Sequence, residues 1–343
     1  MNPVKEANRS NTPVLEVAGL SKKFRVPAAG IGQKPRVVHA VSDVSFRLAA
    51  GTTLGIVGES GCGKSTTARL IMGLIAPDAG DVLIRGDVMG RSAKGLKRLR
   101  RQVQMVFQDS SASLNPRLTI ESSIIFGPVV HGVKQSEARA RAHHLLDLVG
   151  LDPNLYAGRY PHELSGGQRQ RVNIARALVL DPSIIIFDEA VSALDKSIEA
   201  QVLNLLIDLK SEFDLSYIFI SHDLNVVQYI SDDVLVMYLG EVIERGSTDL
   251  IYQGAGHPYT SALLASMPSP DPERRTLVAP VSGDPPNPID LPTGCRFHPR
   301  CADVSEICSR LQPRMTQAGV SRSIACHMAD RKSGHPKAGA LGK

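Results

Sequence analysis

Apolar residues along this chain gather into short, nearly unbroken runs separated by stretches of helical periodicity. Thr53-Leu54-Gly55-Ile56-Val57, Val103-Gln104-Met105-Val106-Phe107, Ile184-Ile185-Ile186-Phe187 and Ser216–Ser221 have strand length. Ile184–Phe187 is apolar at every position, the pattern of a parallel strand buried on both faces. Val14-Leu15-Glu16-Val17 opens a strand, Ser21–Val26 continues a sheet edge, and Val37–Leu48 alternates imperfectly as another. Residues 82–86 read as strand, and Val234–Tyr238 with Glu241–Arg245 form a hairpin through Leu239-Gly240. Helices are expected through Leu74 and over Arg169–Leu180 and Ile198–Phe213. A further helix over Glu137–Val149 places Ala138, Ala142, Leu145 and Val149 on one face, with Gly150 as its stop. Residues 1–13 read as loose, Ala28–Pro35 as a Gly/Pro-interrupted loop, and Pro268–Pro292 as a linker or irregular wrap. The stretch beyond Asp330 reads as a disordered tail.

Composition narrows the class without choosing a function. The 343 residues are 43% hydrophobic and 21% charged, ample for a packed core. A net charge of +5 is a mild basic bias compatible with phosphate ligands, a membrane surface or nucleic acid. No run approaches the roughly eighteen apolar residues of a membrane helix, and Met1–Glu6 lacks the apolar core of a secretory signal. The expectation is a cytoplasmic chain that touches a membrane only through a partner. The basic run Lys94–Arg101 has no interleaved aromatics and reads as a solvated helix face.

The chemistry sits at strand ends. The run Thr53–Val57 leads into Gly58-Glu59-Ser60-Gly61-Cys62-Gly63-Lys64-Ser65-Thr66, a phosphate-binding loop in the strand–loop–helix setting it requires. Its N–H groups would wrap the β-phosphate, Lys64 would neutralise the β/γ oxygens, and Ser65 would ligate Mg²⁺. Cys62 reads as a space-filling residue inside the loop. Gln108 leaves a buried strand where it could reach a metal or its water. Asp188-Glu189 end another, and paired carboxylates at a buried strand mouth are costly unless a cation or a reaction uses them. Asp188 suits Mg²⁺, and Glu189 suits the base that orients an attacking water. Leu164-Ser165-Gly166-Gly167-Gln168 offers uncovered N–H groups and a hydroxyl, a second anion-binding loop in a chain that already has one. That duplication is explained if the second loop closes on the nucleotide of a partner molecule.

Taken together these motifs resemble those of ATP-binding cassette (ABC) ATPases over about residues 14–255, where two subunits sandwich two ATP molecules. The resemblance implies an α/β fold: a P-loop core sheet, an N-terminal antiparallel subdomain and a helical subdomain of about residues 88–165 carrying the signature Ser165–Gln168. It makes Gln108 the Q-loop glutamine, a Mg²⁺ contact, and Ser192-Ala193-Leu194-Asp195 the loop that crosses the dimer interface. It makes His222 the histidine that bonds the γ-phosphate, and Phe24 the ring that stacks on adenine. Ala190 departs from the family, which usually has Pro after the glutamate, and Ser110 departs from the usual Pro in Asp109–Arg117, a segment that otherwise resembles the version in peptide-importer ATPases.

Cys295, Cys301, Cys308 and Cys326 are separated by five, six and seventeen residues, without C-x-x-C pairs. Four thiolates suit tetrahedral Zn²⁺ or an iron–sulfur cluster, with His298 and His327 near enough to substitute. Asp284–Pro288 and Pro292–Cys301 resemble the C-terminal extension of oligopeptide/dipeptide importer ATPases, in which such a set is similar to 4Fe–4S ligands. Residues 256–330 are therefore expected as a small irregular Cys-rich extension, and 331–343 as tail. The function implied is an ATPase subunit powering import of oligopeptides or dipeptides, with ATP and Mg²⁺ as cofactors. It would work at the cytoplasmic face of the membrane with two permeases, a sister ATPase and, indirectly, an extracytoplasmic binding protein, but no nucleic acid. An importer of nickel, glutathione or another solute is the near alternative, and a soluble nucleic-acid-directed ABC ATPase the distant one.

Overall fold

The structure, a computed structural model, describes residues 13–27, 36–90, 92–267, 283, 286–319 and 321–341. The loop expected at Ala28–Pro35, almost all of the loose start and most of the Pro-rich linker lie outside these residues. In chain order the elements begin β1 (Leu15–Val26), β2 (Arg36–Leu48), β3 (Thr53–Val57), α1 (Lys64–Ile71), β4 (Ala79–Ile84) and β5 (Asp87–Val88). They continue with α2 (Ala93–Gln102), β6 (Val103–Val106), α3 (Ile120–Val130), α4 (Gln135–Leu148), α5 (Pro153–Tyr156), α6 (Gly166–Leu178) and β7 (Ile184–Asp188). Next come α7 (Lys196–Glu212), β8 (Ser216–Ile220), α8 (Leu224–Ile230), β9 (Asp233–Tyr238), β10 (Glu241–Ser247), α9 (Thr248–Gln253) and α10 (Pro258–Ala265). The last three are α11 (Glu306–Arg310), β11 (Met315–Gln317) and β12 (Arg322–Ala325). β4 pairs antiparallel with β5, Leu83 opposite Val88 and Ile84 opposite Asp87.

The chain divides into two compact units, one of Met1–Val17, Phe46–Thr53 and Asp81–Ile218, the other of Ala18–Ser45, Leu54–Gly80 and Phe219–Lys343. In the first, β6 runs parallel to β7, pairing Val103 with Ile184 through Val106 with Phe187. All five residues of β7 are buried: the apolar run Ile184–Phe187 requires it, and Asp188 at the strand end is buried with them. Helices α3, α4 and α6 pack on one another. The face of α4 that the periodicity picks out, Ala138, Ala142 and Leu145, is buried together with Val149, and Gly150 (φ 76°) ends the helix in the left-handed region. The basic residues of α2 face solvent, and among its residues Leu99 alone is buried.

In the second unit β3 runs parallel to β9, and β9 turns back into β10 with Tyr238 opposite Glu241. Leu239 (φ 43°) and Gly240 (φ 84°) both take positive φ, the two-residue turn that matches strand twist. A register shift between Val242 and Glu244 marks a bulge, after which the Glu244 side chain is fully buried. The extension, read from sequence as irregular, adds two short strands. β12 pairs antiparallel with β10, from Glu244 opposite Ile324 to Gly246 opposite Arg322, and β11 pairs with β12.

Glu244 anchors this addition. Its carboxylate accepts from the Gly256 and His257 N–H groups at 2.8 and 2.9 Å and from Arg322 Nε at 2.7 Å. A buried carboxylate is tolerable only with such partners. The tail expected to be disordered is instead folded back through residue 341. The Gly339 N–H donates to the Met328 carbonyl at 2.8 Å, Leu341 packs against the cluster of Ile324, Cys326, Met328 and Ala329, and buried His335 bonds the Asp303 carbonyl at 3.0 Å. A low-complexity polar stretch reads as disorder because these anchoring contacts are made at long range, not within it.

Glu244→Ala strands the Arg322 guanidinium and two backbone donors in the interior. Breaking such a buried pair costs about 3–5 kcal/mol, and urea unfolding of the full chain should show a loss of that size.

Candidate functional site

Between β3 and α1 the backbone takes conformations that only glycine holds without strain. Gly58 has φ 150°, Gly61 78° and Gly63 106°. A Cβ on Gly58 would lie 2.2 Å from the Met237 carbonyl oxygen, and one on Gly63 would lie 2.3 Å from that of Ala40. Gly61 has open space around it, so its glycine answers to conformation alone. α1 starts at Lys64 with Gly63 as N-cap and no side-chain cap, the kind of helix start that suits an anion. The Lys64 ammonium is buried and donates to the Gly58 and Glu59 carbonyls at 2.7 and 2.9 Å. Ser60 and Gly61 face solvent, while Ser65 and Thr66 are half-buried at the helix start. Cys62 is buried, and desolvation raises its thiol above the ordinary range, against the Lys64 charge. That fits space-filling better than redox chemistry.

Glu59 is bonded at every polar group. Its N–H donates to the Tyr259 hydroxyl at 2.8 Å, its carbonyl accepts from Lys64, and its carboxylate takes both terminal nitrogens of Arg300 at 2.9 and 3.0 Å. Sequence reading missed Tyr259 and Arg300. Arg300 lies in the segment Pro292–Cys301 that carries the family resemblance and Tyr259 at the start of a short helix, but nothing local ties either to residue 59.

Other motif residues stand in the first unit. The Gln108 amide donates to the Glu189 carboxylate at 3.1 Å, joining two groups 81 positions apart. Glu189 has φ 49°, a costly conformation for a residue other than glycine and one that clusters at functional sites. The Ser192 N–H and hydroxyl hold the Glu189 carbonyl at 3.2 and 2.8 Å. Asp188 is buried at the end of β7, Ala190 is buried after Glu189, and Asp195 is the exposed N-cap of α7. In the signature, Ser165 caps α6 by accepting from the Gln168 N–H at 3.3 Å. The Gln168 Oε1 in turn accepts from the Ser165 N–H at 2.9 Å. The hydroxyl keeps its own proton for an anion. Gly166 carries no side chain, and a Cβ on Gly167 would lie 2.6 Å from the Ile198 methyl, so α6 and α7 approach closely there.

In the second unit His222 is exposed just after β8, and Asp223 caps α8. Phe24 on β1 is 37% exposed with the Lys22 ammonium 5.7 Å from its ring, so it is a surface aromatic and not a core one.

Cys295, Cys301, Cys308 and Cys326 line one small pocket with Phe297 and Met328, and all are free thiols. Gly294 (φ 66°) makes this possible, because a Cβ there would lie 2.4 Å from the Cys308 carbonyl, which accepts the Cys295 N–H at 2.8 Å. Burial pushes the Cys295 thiol up to about 12 and the Cys326 thiol up to about 11, with the neighbouring cysteines adding to both. A soft cation would offset that cost, so the donor chemistry fits a metal centre. The arrangement is not that of an assembled shell: among the described residues no group of three or more His, Cys, Asp or Glu side chains stands where it could hold a metal. His298 and His327 each use a ring nitrogen on a backbone carbonyl, of Cys295 and Leu311, which weakens them as substitute ligands. Among the described residues no helix is long and apolar enough to cross a membrane.

Residues 41–192 match the family model for ABC transporters, and residues 243–308 match that for the oligopeptide/dipeptide transporter C-terminal region. The chain is 49% identical over 318 residues to the probable peptide ABC transporter ATP-binding protein y4tS of Sinorhizobium fredii, covering 92% of this chain and 90% of that protein. It is 46% identical over 332 residues to the dipeptide transport ATP-binding protein DppF of Haemophilus influenzae, covering 96% and 99%. Among solved structures it is similar to cbiO1 of Clostridium perfringens, part of the ABC transporter complex cbiONQ. That match has TM-score 0.61 and 28% identity over 71% of this chain and 92% of that one. A dimeric post-hydrolysis ATP-binding cassette bound to ADP and Pi matches with TM-score 0.59 and 28% identity, covering 68% and 98%.

Gly63→Ala must pay for its φ, about 1–3 kcal/mol, and for the collision with Ala40. Gly61→Ala pays only the first. Thermal unfolding should therefore rank Gly63→Ala clearly below Gly61→Ala.

Proposed function

The chain belongs to the ABC transporter family, and from that premise we propose that it is the ATP-hydrolysing subunit of a peptide importer, working as half of an ATP sandwich. The observation that carries the reading is the pairing of a glycine-locked phosphate loop with a separate capped glycine loop in one chain. The first loop holds the chain's own nucleotide, and Ser165–Gln168 reaches the γ-phosphate of the partner's. The dimeric neighbour bound to ADP and Pi supports that geometry. The match to peptide transport proteins along nearly the whole chain supports peptides as the solute.

In this reading the N–H groups of Gly58–Thr66 surround the β-phosphate and Lys64 exchanges its loop carbonyls for β/γ oxygens. Ser65, Gln108 and Asp188 would hold Mg²⁺, which would supply charge neutralisation at the transferred phosphoryl group. Glu189 orients and deprotonates the attacking water, with Gln108 fixing its carboxylate, and His222 donates to the γ-phosphate. Phe24 covers the adenine, and its exposure supports that role. Asp195 lies at the dimer surface. We place the ATPase domain at residues 14–255, with its helical subdomain at about 88–165, and the extension at 256–330. The subunit acts at the cytoplasmic face of the membrane on two permeases, beside a sister ATPase, and serves an extracytoplasmic binding protein only indirectly, through the permeases. Cys295, Cys301, Cys308 and Cys326 would hold a soft metal centre, a 4Fe–4S cluster ahead of Zn²⁺, whose chemistry there is four metal–thiolate bonds that cross-link the extension.

Two measurements check these assignments. Glu189→Gln should lower ATP turnover by about 10²–10⁴-fold, the size of a general-base contribution, while nucleotide binding persists in a filter or fluorescence assay. Metal analysis of the anaerobically purified full chain should find iron with acid-labile sulfide, lost in Cys301→Ser; zinc alone would select the other centre, and no metal would remove both.

A further inference from the structure

The phosphate loop is bonded to the C-terminal extension through one residue, Glu59, and all the groups concerned lie in the second unit. Arg300 grips the carboxylate in the two-pronged geometry that fixes orientation as well as distance. Its side chain is 7% exposed, so the ion pair is shielded from solvent and salt on that side. The Tyr238 hydroxyl accepts a further bond from Arg300 at 3.3 Å. On the other side of Glu59, the carbonyl is one of the two oxygens that hold Lys64. The path from the extension to the ammonium that meets the phosphates is therefore Arg300, Glu59, Lys64.

The base of this path is rigid. The Phe297 ring meets Tyr238 and Tyr259 edge-on, with centroids 5.4 and 5.5 Å away, and Tyr238 and Tyr259 lie 4.6 Å apart. Tyr259 in turn accepts the Glu59 N–H. Arg296 bonds the Leu239 carbonyl and the Ser42 hydroxyl and pairs with Glu241 at 2.8 Å. The next residue, Gly240, donates to the Cys62 carbonyl of the phosphate loop at 2.8 Å. Phe297 and Arg300 stand between Cys295 and Cys301, so the segment that closes the cysteine pocket also presents both side chains.

We propose that Arg300 is a positioning residue for nucleotide binding, holding Glu59, and through it the phosphate loop and Lys64, in the shape that receives the phosphates of ATP. The Cys-rich extension is then a brace for the nucleotide site. This rests on the ATP reading above and adds to it a role for residues outside the ATPase motifs.

The test uses the full chain, with binding of a fluorescent ATP analogue and steady-state ATP hydrolysis. Arg300→Ala should weaken binding and raise KM for MgATP roughly tenfold with kcat within about twofold, the split expected when ground-state binding alone is lost. Arg300→Lys should recover part of the loss, since an ammonium can replace one prong but not both. Glu59→Gln should weaken binding comparably. The double variant should be no weaker than the worse single, because both changes break one interaction. Should Arg300→Ala fail to fold, Glu59→Gln and Tyr259→Phe make the same test from the loop side, each raising KM. Wild-type binding with unchanged KM in these variants, or losses that simply add, overturns the inference alone. Failure of the wild-type chain to bind ATP at all sinks both this and the ATP reading.

Discussion

The backbone between Gly58 and Lys64 cannot relax, and much of the second unit is arranged to keep it so. Two of its glycines abut backbone carbonyls of Met237 and Ala40, the Cys62 carbonyl is capped by the Gly240 N–H, and Glu59 is bonded through all its polar groups. A loop that presents N–H groups to an anion exposes donors that would otherwise seek partners within the protein. Contacts behind the loop supply the stiffness that a loop of small residues lacks. The hairpin turn Leu239-Gly240 and the ring pair Tyr238–Tyr259 serve this end, and neither belongs to a motif that binds nucleotide.

The extension is attached with the same economy. Glu244, buried by a bulge in β10, takes donors from the chain entering α10 and from Arg322 on the added strand β12, so one carboxylate joins three segments. His257, buried at the start of α10, caps the Tyr259 N–H through Nδ1, and burial pulls its ring down to about 3, so it acts as a neutral acceptor at any physiological pH. Four thiols then meet around one pocket because Gly294 lets the chain pass Cys308.

Legibility in the sequence followed the range of the cause. The run Ile184–Phe187, the α4 face and the turn at Gly240 depend on neighbouring residues, and each stood where pattern and turn chemistry put it. The phosphate loop was legible because its glycines answer to local φ. The bond from Gln108 to Glu189 was implied only as two residues of one site, since spacing carries no distance. Arg300, Tyr259 and the folded residues 331–341 were not legible. Their partners at residues 59, 303 and 328 are remote in sequence, and an arginine or a short polar tail looks the same whether or not a partner waits for it. Phe24 shows the reverse: a phenylalanine that sequence cannot assign to core or surface is found exposed.

Transport driven by this ATPase must run through membrane partners. Purification of the tagged chain from native membranes, with every co-purifying chain identified, tests it most directly. Two multi-span permeases together with a second ABC ATPase should co-purify. Ribosomal or DNA-repair partners without a permease would contradict it, leaving the ATP chemistry without the transport.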